Sequence, residues 1–166
     1  MAAVREVKNL VKTYGRAVAV NEISFEIEKG TCFGLLGPNG AGKTTTIEVI
    51  EDVIPPTSGE ILYEGKPRTS SFANEVGIQF QSTSLLNFMT VRETLVTFKS
   101  LFPITADIDE LVERCYLSDF QHQLNDKISG GQRQRFMLAL ALVNQPRVLF
   151  LDEPSTGLDP QARPTK

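Results

Sequence analysis

Cysteine is scarce in this 166-residue sequence: Cys32 and Cys115 are too few for a disulfide framework. Cys32 falls in an apolar run and Cys115 in an expected helix, so both are read as reduced, packed thiols. Long apolar stretches are missing too. No run approaches the roughly 18 to 20 apolar residues that a membrane helix needs. The opening Met1-Ala2-Ala3-Val4-Arg5-Glu6 lacks the apolar region of a secretory signal. The chain is therefore read as cytosolic, with any membrane connection made through a partner. Positive charge is in deficit: 17 Lys and Arg against 20 Asp and Glu give a net charge of -3. That balance speaks against a nucleic-acid binder, which shows a basic face. Histidine occurs once, as His122, and is read as a surface or helix-end residue. Internal repeats and low-complexity tracts are absent. What remains, 41% hydrophobic and 22% charged, suits one globular domain with a substantial core.

Strands and helices can be placed from periodicity and breakers. Ile23, Phe25 and Ile27 alternate with polar residues, as in a half-exposed strand. After a turn at Glu28-Lys29-Gly30, Cys32-Phe33-Gly34-Leu35-Leu36 runs apolar without alternation, the pattern of a central strand covered on both faces. A helix is expected from about Lys43, with Ile47, Ile50 and Ile54 on one side and Pro55-Pro56 as its stop. Gly59-Glu60-Ile61-Leu62-Tyr63 and Glu75-Val76-Gly77-Ile78-Gln79-Phe80 are short strand candidates. Beyond Gln81 the texture turns helical. Val91, Leu95, Phe98 and Phe102 fall four, three and four apart behind a Thr90 N-cap, and a second helix is expected from about Asp107 to Leu117. The 47 residues between Gln81 and Ser129 are read as a helical subdomain, 82–128, inserted into a core of 1–81 and 129–166. A helix from Gln132 to Val143 and a strand from Arg147 to Asp152 follow. Strand–helix alternation around a loop-first site predicts an α/β fold with a mostly parallel sheet.

Chemistry concentrates in three segments. Gly37-Pro38-Asn39-Gly40-Ala41-Gly42-Lys43-Thr44 matches Gly-x-x-x-x-Gly-Lys-Thr at every fixed position, after an apolar run and before a helix. Its glycines let backbone N–H groups turn inward around phosphate oxygens, and the helix adds its positive end. Lys43 is expected to reach the β- and γ-phosphates, Thr44 to give a hydroxyl to Mg²⁺, and Thr45 to complete the nucleotide-binding set. Asp152 follows four consecutive apolar residues at a strand's carboxyl end, where ligands bind in open α/β folds, and is the expected partner of hydrated Mg²⁺. Glu153 is expected to polarise the attacking water as general base. Ser129-Gly130-Gly131, with Gln132 opening the next helix, makes a second anion site. One triphosphate rarely needs two such sites. This one is read as facing the nucleotide of a second copy, where its donors stand in for an arginine finger.

Phosphate loop, then Ile128-Ser129-Gly130-Gly131-Gln132, then Val148-Leu149-Phe150-Leu151-Asp152-Glu153: this order resembles the nucleotide-binding domain of the ATP-binding-cassette (ABC) superfamily, over nearly the whole chain. The resemblance implies a P-loop NTPase core, an N-terminal antiparallel β portion, an inserted α-helical subdomain, and ATP and Mg²⁺ as ligands. It implies roles as well. Gln81 holds the place of the glutamine that touches Mg²⁺ and couples the site to transport, and Gln79, inside the strand, is the poorer candidate. Tyr14, in Lys12-Thr13-Tyr14-Gly15, would stack on adenine. Asp159, in Ser155-Thr156-Gly157-Leu158-Asp159, would lie at the interface with the partner domain.

The family also carries a histidine past the acidic strand, which this sequence does not reach before Lys166, and Pro164 interrupts the helix that Gln161-Ala162-Arg163 begins. The sequence is accordingly read as a C-terminally truncated or frame-shifted domain, or a fragment of one. The implied function is the ATP-binding and ATP-hydrolysing subunit of an ABC transporter, on the inner face of the membrane. Its partners would be a second nucleotide-binding domain, identical or related, and membrane permease subunits, with no nucleic acid. Leu85, Leu86, Phe88 and Met89 would either meet a coupling helix of those subunits or seal the subdomain to the core. Residues 56–60 and 156–163 are similar to those of drug- and antibiotic-type exporters. The alternatives are a soluble ABC ATPase without transport and a nucleotide-binding fragment without turnover.

Overall fold

The computed structural model describes residues 3–79 and 85–151, and the chain divides into two compact units, Met1–Ala73 and Asn74–Lys166. In the first unit, β1 (Ala3–Tyr14) and β2 (Ala17–Glu28) form a long antiparallel hairpin. β3 (Ser58–Tyr63) pairs with the other edge of β1, and β4 (Lys66–Pro67) pairs with β3, giving the order β2-β1-β3-β4. β1 has no clear signature in the sequence because its register shifts several times against β2, which breaks the two-residue alternation on which strand recognition depends. Helix α1 (Lys43–Ile50) packs against β1 and β2. Among the described residues, Val7, Leu10, Val20, Val49, Ile50, Ile61, Leu62 and Phe72 are the buried apolar residues of this unit.

A charge is buried among them. Arg5 is 1% exposed, its guanidinium 3.8 Å from the Phe72 ring centroid and 5.1 Å from that of Tyr63. Burial first, and the neighbouring Arg68 second, lower its pKa to about 10. Arg68 pairs with Asp52 at 2.9 Å and donates through Nη1 to the carbonyls of Val49 and Ile50, each at 2.8 Å. It thereby satisfies the last carbonyls of α1, which have no partner within the helix.

Residues 32–36 differ from expectation. They form no strand, and none of the described residues pairs with them. A central parallel strand needs a ladder on each edge and cover on each face. Without those, Cys32 is exposed rather than packed, Leu36 is 94% exposed, and Phe33 lies stacked on Phe25 with ring centroids 4.9 Å apart.

In the second unit, β5 (Val76–Gln79) and β6 (Val148–Leu151) pair in parallel, Val76 opposite Val148 and Gln79 opposite Leu151. Helices α2 (Val91–Lys99), α3 (Ile108–Arg114) and α4 (Gly130–Leu142) surround a core that includes Val91, Leu95, Leu117, Phe120, Phe136 and Leu140. Phe98 and Phe102 pack against it half-buried, as the helical spacing predicts. Cys115 belongs to this core, and burial pushes its thiol pKa up. α4 starts two residues earlier than the sequence suggests, with both glycines inside its first turn.

Candidate nucleotide-binding site

The glycine-rich loop is shaped by its own backbone. The Ala41 N–H donates to the Pro38 carbonyl at 3.2 Å. Gly42 takes φ 80° as the N-cap of α1, and a Cβ there would run into the carbonyl oxygen of Ala19, so any larger residue is excluded on two grounds. Thr46 then binds the Gly42 carbonyl through both its N–H and its hydroxyl, each at 2.8 Å. Lys43 folds back over the loop: its Nζ donates to the carbonyls of Gly37 at 2.8 Å and Pro38 at 2.9 Å. An ammonium has three N–H donors, so two fix the lysine in place and one is left for a ligand.

The head of α1 is open. Gly42 offers no side-chain cap, and the first turn holds no acidic residue. Its first N–H groups and the positive end of its dipole therefore meet no side-chain counterpart, the state that an anion would complete. Gly37, Pro38, Asn39, Gly40, Ala41 and Thr44 are exposed, with Thr45 half-buried behind them. Thr44 carries the kind of oxygen donor that a divalent cation accepts. Tyr14 ends β1 in the same unit, half its surface exposed, with Lys12 Nζ 5.0 Å from its ring centroid.

In the second unit, Ser129 is the N-cap of α4. Its Oγ accepts from the Gln132 N–H at 3.3 Å, while Gln132 Oε1 accepts from the Ser129 N–H at 2.7 Å. Capping uses the serine oxygen as acceptor and leaves the hydroxyl hydrogen free to donate, so helix cap and anion donor are compatible roles. A Cβ on Gly130 or Gly131 would meet nothing within 4 Å. Among the described residues, packing requires neither glycine, and Gly130 leaves the head of α4 exposed.

Gln81, Asp152, Glu153 and Asp159 lie outside the described residues; β6 ends at Leu151, directly before Asp152. Near α2, Leu85 packs against the helical core while Leu86 and Phe88 are exposed. Phe88 and Met89 line an open cavity of about 800 Å³ together with Arg92, Glu93, Val96 and His122. His122 is exposed there, in keeping with a surface role.

Two sets of polar residues in the second unit escape sequence reasoning. Asn125 is buried, with Nδ2 donating to the Leu86 carbonyl at 2.9 Å and to Thr94 Oγ1 at 2.8 Å, which pins the segment before α2. Gln79 is buried at the end of β5 and bonded to Gln134 of α4. Both look like surface amides in sequence, because their partners lie more than 30 residues away.

The sequence model described as ABC transporter aligns with residues 20–156, and the chain belongs to that family as one of its ATP-binding domains. It is similar to Nod factor export ATP-binding protein I of Burkholderia orbicola (strain AU 1054), 42% identical over 164 residues, 94% of this chain and 54% of that protein. It is also similar to spermidine/putrescine import ATP-binding protein PotA of Chromobacterium violaceum, 39% identical over 173 residues, 97% of this chain and 46% of that protein. The chain thus spans about half the length of the curated relatives it matches. Among solved structures, an ATP-binding subunit of an ABC transporter aligns with TM-score 0.82 and 25% identity over 95% of this chain and 69% of that one. A dimeric bacterial ABC transporter cassette shares the fold, with TM-score 0.80 and 24% identity over 93% of this chain and 76% of that one. No helix among the described residues is long and apolar enough to cross a membrane.

Proposed function

We propose that the chain is the ATP-binding and ATP-hydrolysing part of an ABC transporter, working as one of two nucleotide-binding domains beneath membrane subunits on the inner face of the cell membrane. The observation that carries this reading is the head of α1: an uncapped helix start behind a glycine loop, with Lys43 already fixed and one donor to spare. The polyphosphate is held by the backbone N–H groups of residues 39–45 and by Lys43, while Tyr14 stacks on the adenine. Thr44, Gln81 and Asp152 are the residues that would hold Mg²⁺, which when bound neutralises charge on the β- and γ-phosphate oxygens. Glu153 takes the proton from the attacking water. Ser129, Gly130 and Gly131, supported by Gln132, donate to the γ-phosphate of the nucleotide held by the second copy.

The core comprises 1–81 and 129–166, with 82–128 as the helical subdomain, and the exposed Phe88 meets the membrane subunits. Export is the favoured direction, supported by several relatives named for Nod factor export and by the exporter-like residues 56–60. The import relative is the counterweight.

A thermal melt of the 166-residue chain, with and without MgATP and with Lys43→Ala as control, tests the reading. Ligand at a hundred times its dissociation constant adds about 2.7 kcal/mol, an upward shift of several degrees that Lys43→Ala abolishes. A melt indifferent to nucleotide refutes it.

A further inference from the structure

β5 and α4 are joined along the whole length of the strand. At its start, the buried Asn144 amide, two residues past α4, donates to the carbonyls of Asn74 at 3.1 Å and Val76 at 2.8 Å. In the middle, Gly77 lies so close to α4 that a Cβ would run into the Ala141 carbonyl oxygen, with the Pro146 ring and the Leu149 side chain filling the remaining space. At its end, Gln79 Nε2 donates to Gln134 Oε1 at 2.8 Å. Gln134 stands in the first turns of α4, two residues beyond the Gln132 that closes the Ser129 cap.

The first two joints only hold strand to helix. The third calls for a different explanation. Gln79 is 4% exposed, and an apolar side chain would fill a buried strand position at no loss of stability. What a pair of amides adds is direction: a planar donor and a planar acceptor have one good mutual geometry, so the bond sets where the head of α4 stands along the strand.

We propose that Gln79 is a positioning residue, which through Gln134 locks Ser129-Gly130-Gly131 to the end of the strand that leads on to Gln81. The proposal rests on the reading of Ser129 to Gln132 as the face turned to a second copy's nucleotide. Strand end and helix head are held as one body, so the donors at the head of α4 keep one position relative to β5.

The test uses the chain with Glu153→Gln and compares three quantities: ATP-dependent association of two copies by analytical ultracentrifugation, ATP affinity at protein concentrations too low for association, and the melting temperature without nucleotide. Gln79→Met, nearly the same in size but without the amide, should weaken association about tenfold, because the head of α4 is no longer held in one position along β5. It should leave monomer ATP affinity and melting temperature in place. Gln79→Glu combined with Gln134→Lys restores a directed pair and should recover association. If Gln79→Met does not fold, Gln134→Met removes the same bond from the helix side. Unchanged association overturns the proposal, as does a parallel loss of association, affinity and melting temperature, which is the mark of a purely structural residue. If the parent chain binds ATP but never associates, the two-copy reading itself falls and takes the proposal with it. Intact association in every variant refutes the proposal alone.

Discussion

The two units start their helices in opposite ways. In the second unit, α2 begins at Thr90 and α4 at Ser129 with reciprocal capping boxes, and the Asp107 carboxylate accepts from the N–H groups of Asp109 and Glu110 at the start of α3. Acidic residues fill the first turns of α2 and α3. Among the described α-helices, α1 alone starts from a glycine with neither cap nor acid. A side-chain cap contributes about 1 kcal/mol, and the phosphate loop forgoes it. The second unit completes its own helix starts, while the first leaves one to be completed by a ligand. α4 stands between these cases, since it is capped but has no acid in its first turn and has glycines open to the outside.

The contrast can be broken most severely at Gly42. Gly42→Ala meets both the left-handed φ and the Ala19 carbonyl, so it should cost about 3 kcal/mol in urea unfolding and abolish the nucleotide-induced shift in melting. Next in size is the opposite end of the same helix. Arg68→Ala strips two carbonyls and Asp52 of a charged donor, and should cost about 2 kcal/mol while the loop keeps its ligand. In the second unit, Thr90→Ala should cost about 1 kcal/mol with no effect on ATP affinity, because that helix start serves only itself. The smallest effect is electrostatic. Hydrogen bonds donated by the Thr90 N–H and hydroxyl hold the Glu93 carboxyl below its usual pKa. A carboxyl lowered on folding stabilises above its unfolded pKa and loses that contribution as pH falls through the folded one. Glu93→Gln should therefore lower stability slightly at neutral pH, where the ionised carboxylate contributes, and leave acid pH nearly untouched, which flattens the acid limb of stability against pH.

What could be read in the sequence is what is encoded locally. The loop from Gly37 to Thr44 is contiguous, and Thr90 followed by Glu93 is a capping box within four residues; the structure shows the loop folded over its lysine and both halves of the box formed. α2 and α3 fall where periodicity puts them, with ends that differ by a few residues because helix termini depend on contacts as well as composition. β1 is obscured by its own bulges. The run 32–36 shows the reverse error: apolar composition records suitability for a buried strand, but pairing depends on neighbours that a local pattern does not contain. The Gln79–Gln134 and Asn125–Thr94 bonds are illegible for the same reason, since an amide carries no mark of whether water or another amide will face it.

Eight residues are too few for a helix to persist on its own in water. α1 lasts because something holds its ends. Arg68 grips the tail at all times, whereas the head is gripped only while a ligand is there. Protection of the amides at the head of α1 is thus a gauge of occupancy. Amide exchange should be slow at the tail in every condition and should change at the head alone, so that one short helix records, turn by turn, how long the site has been filled.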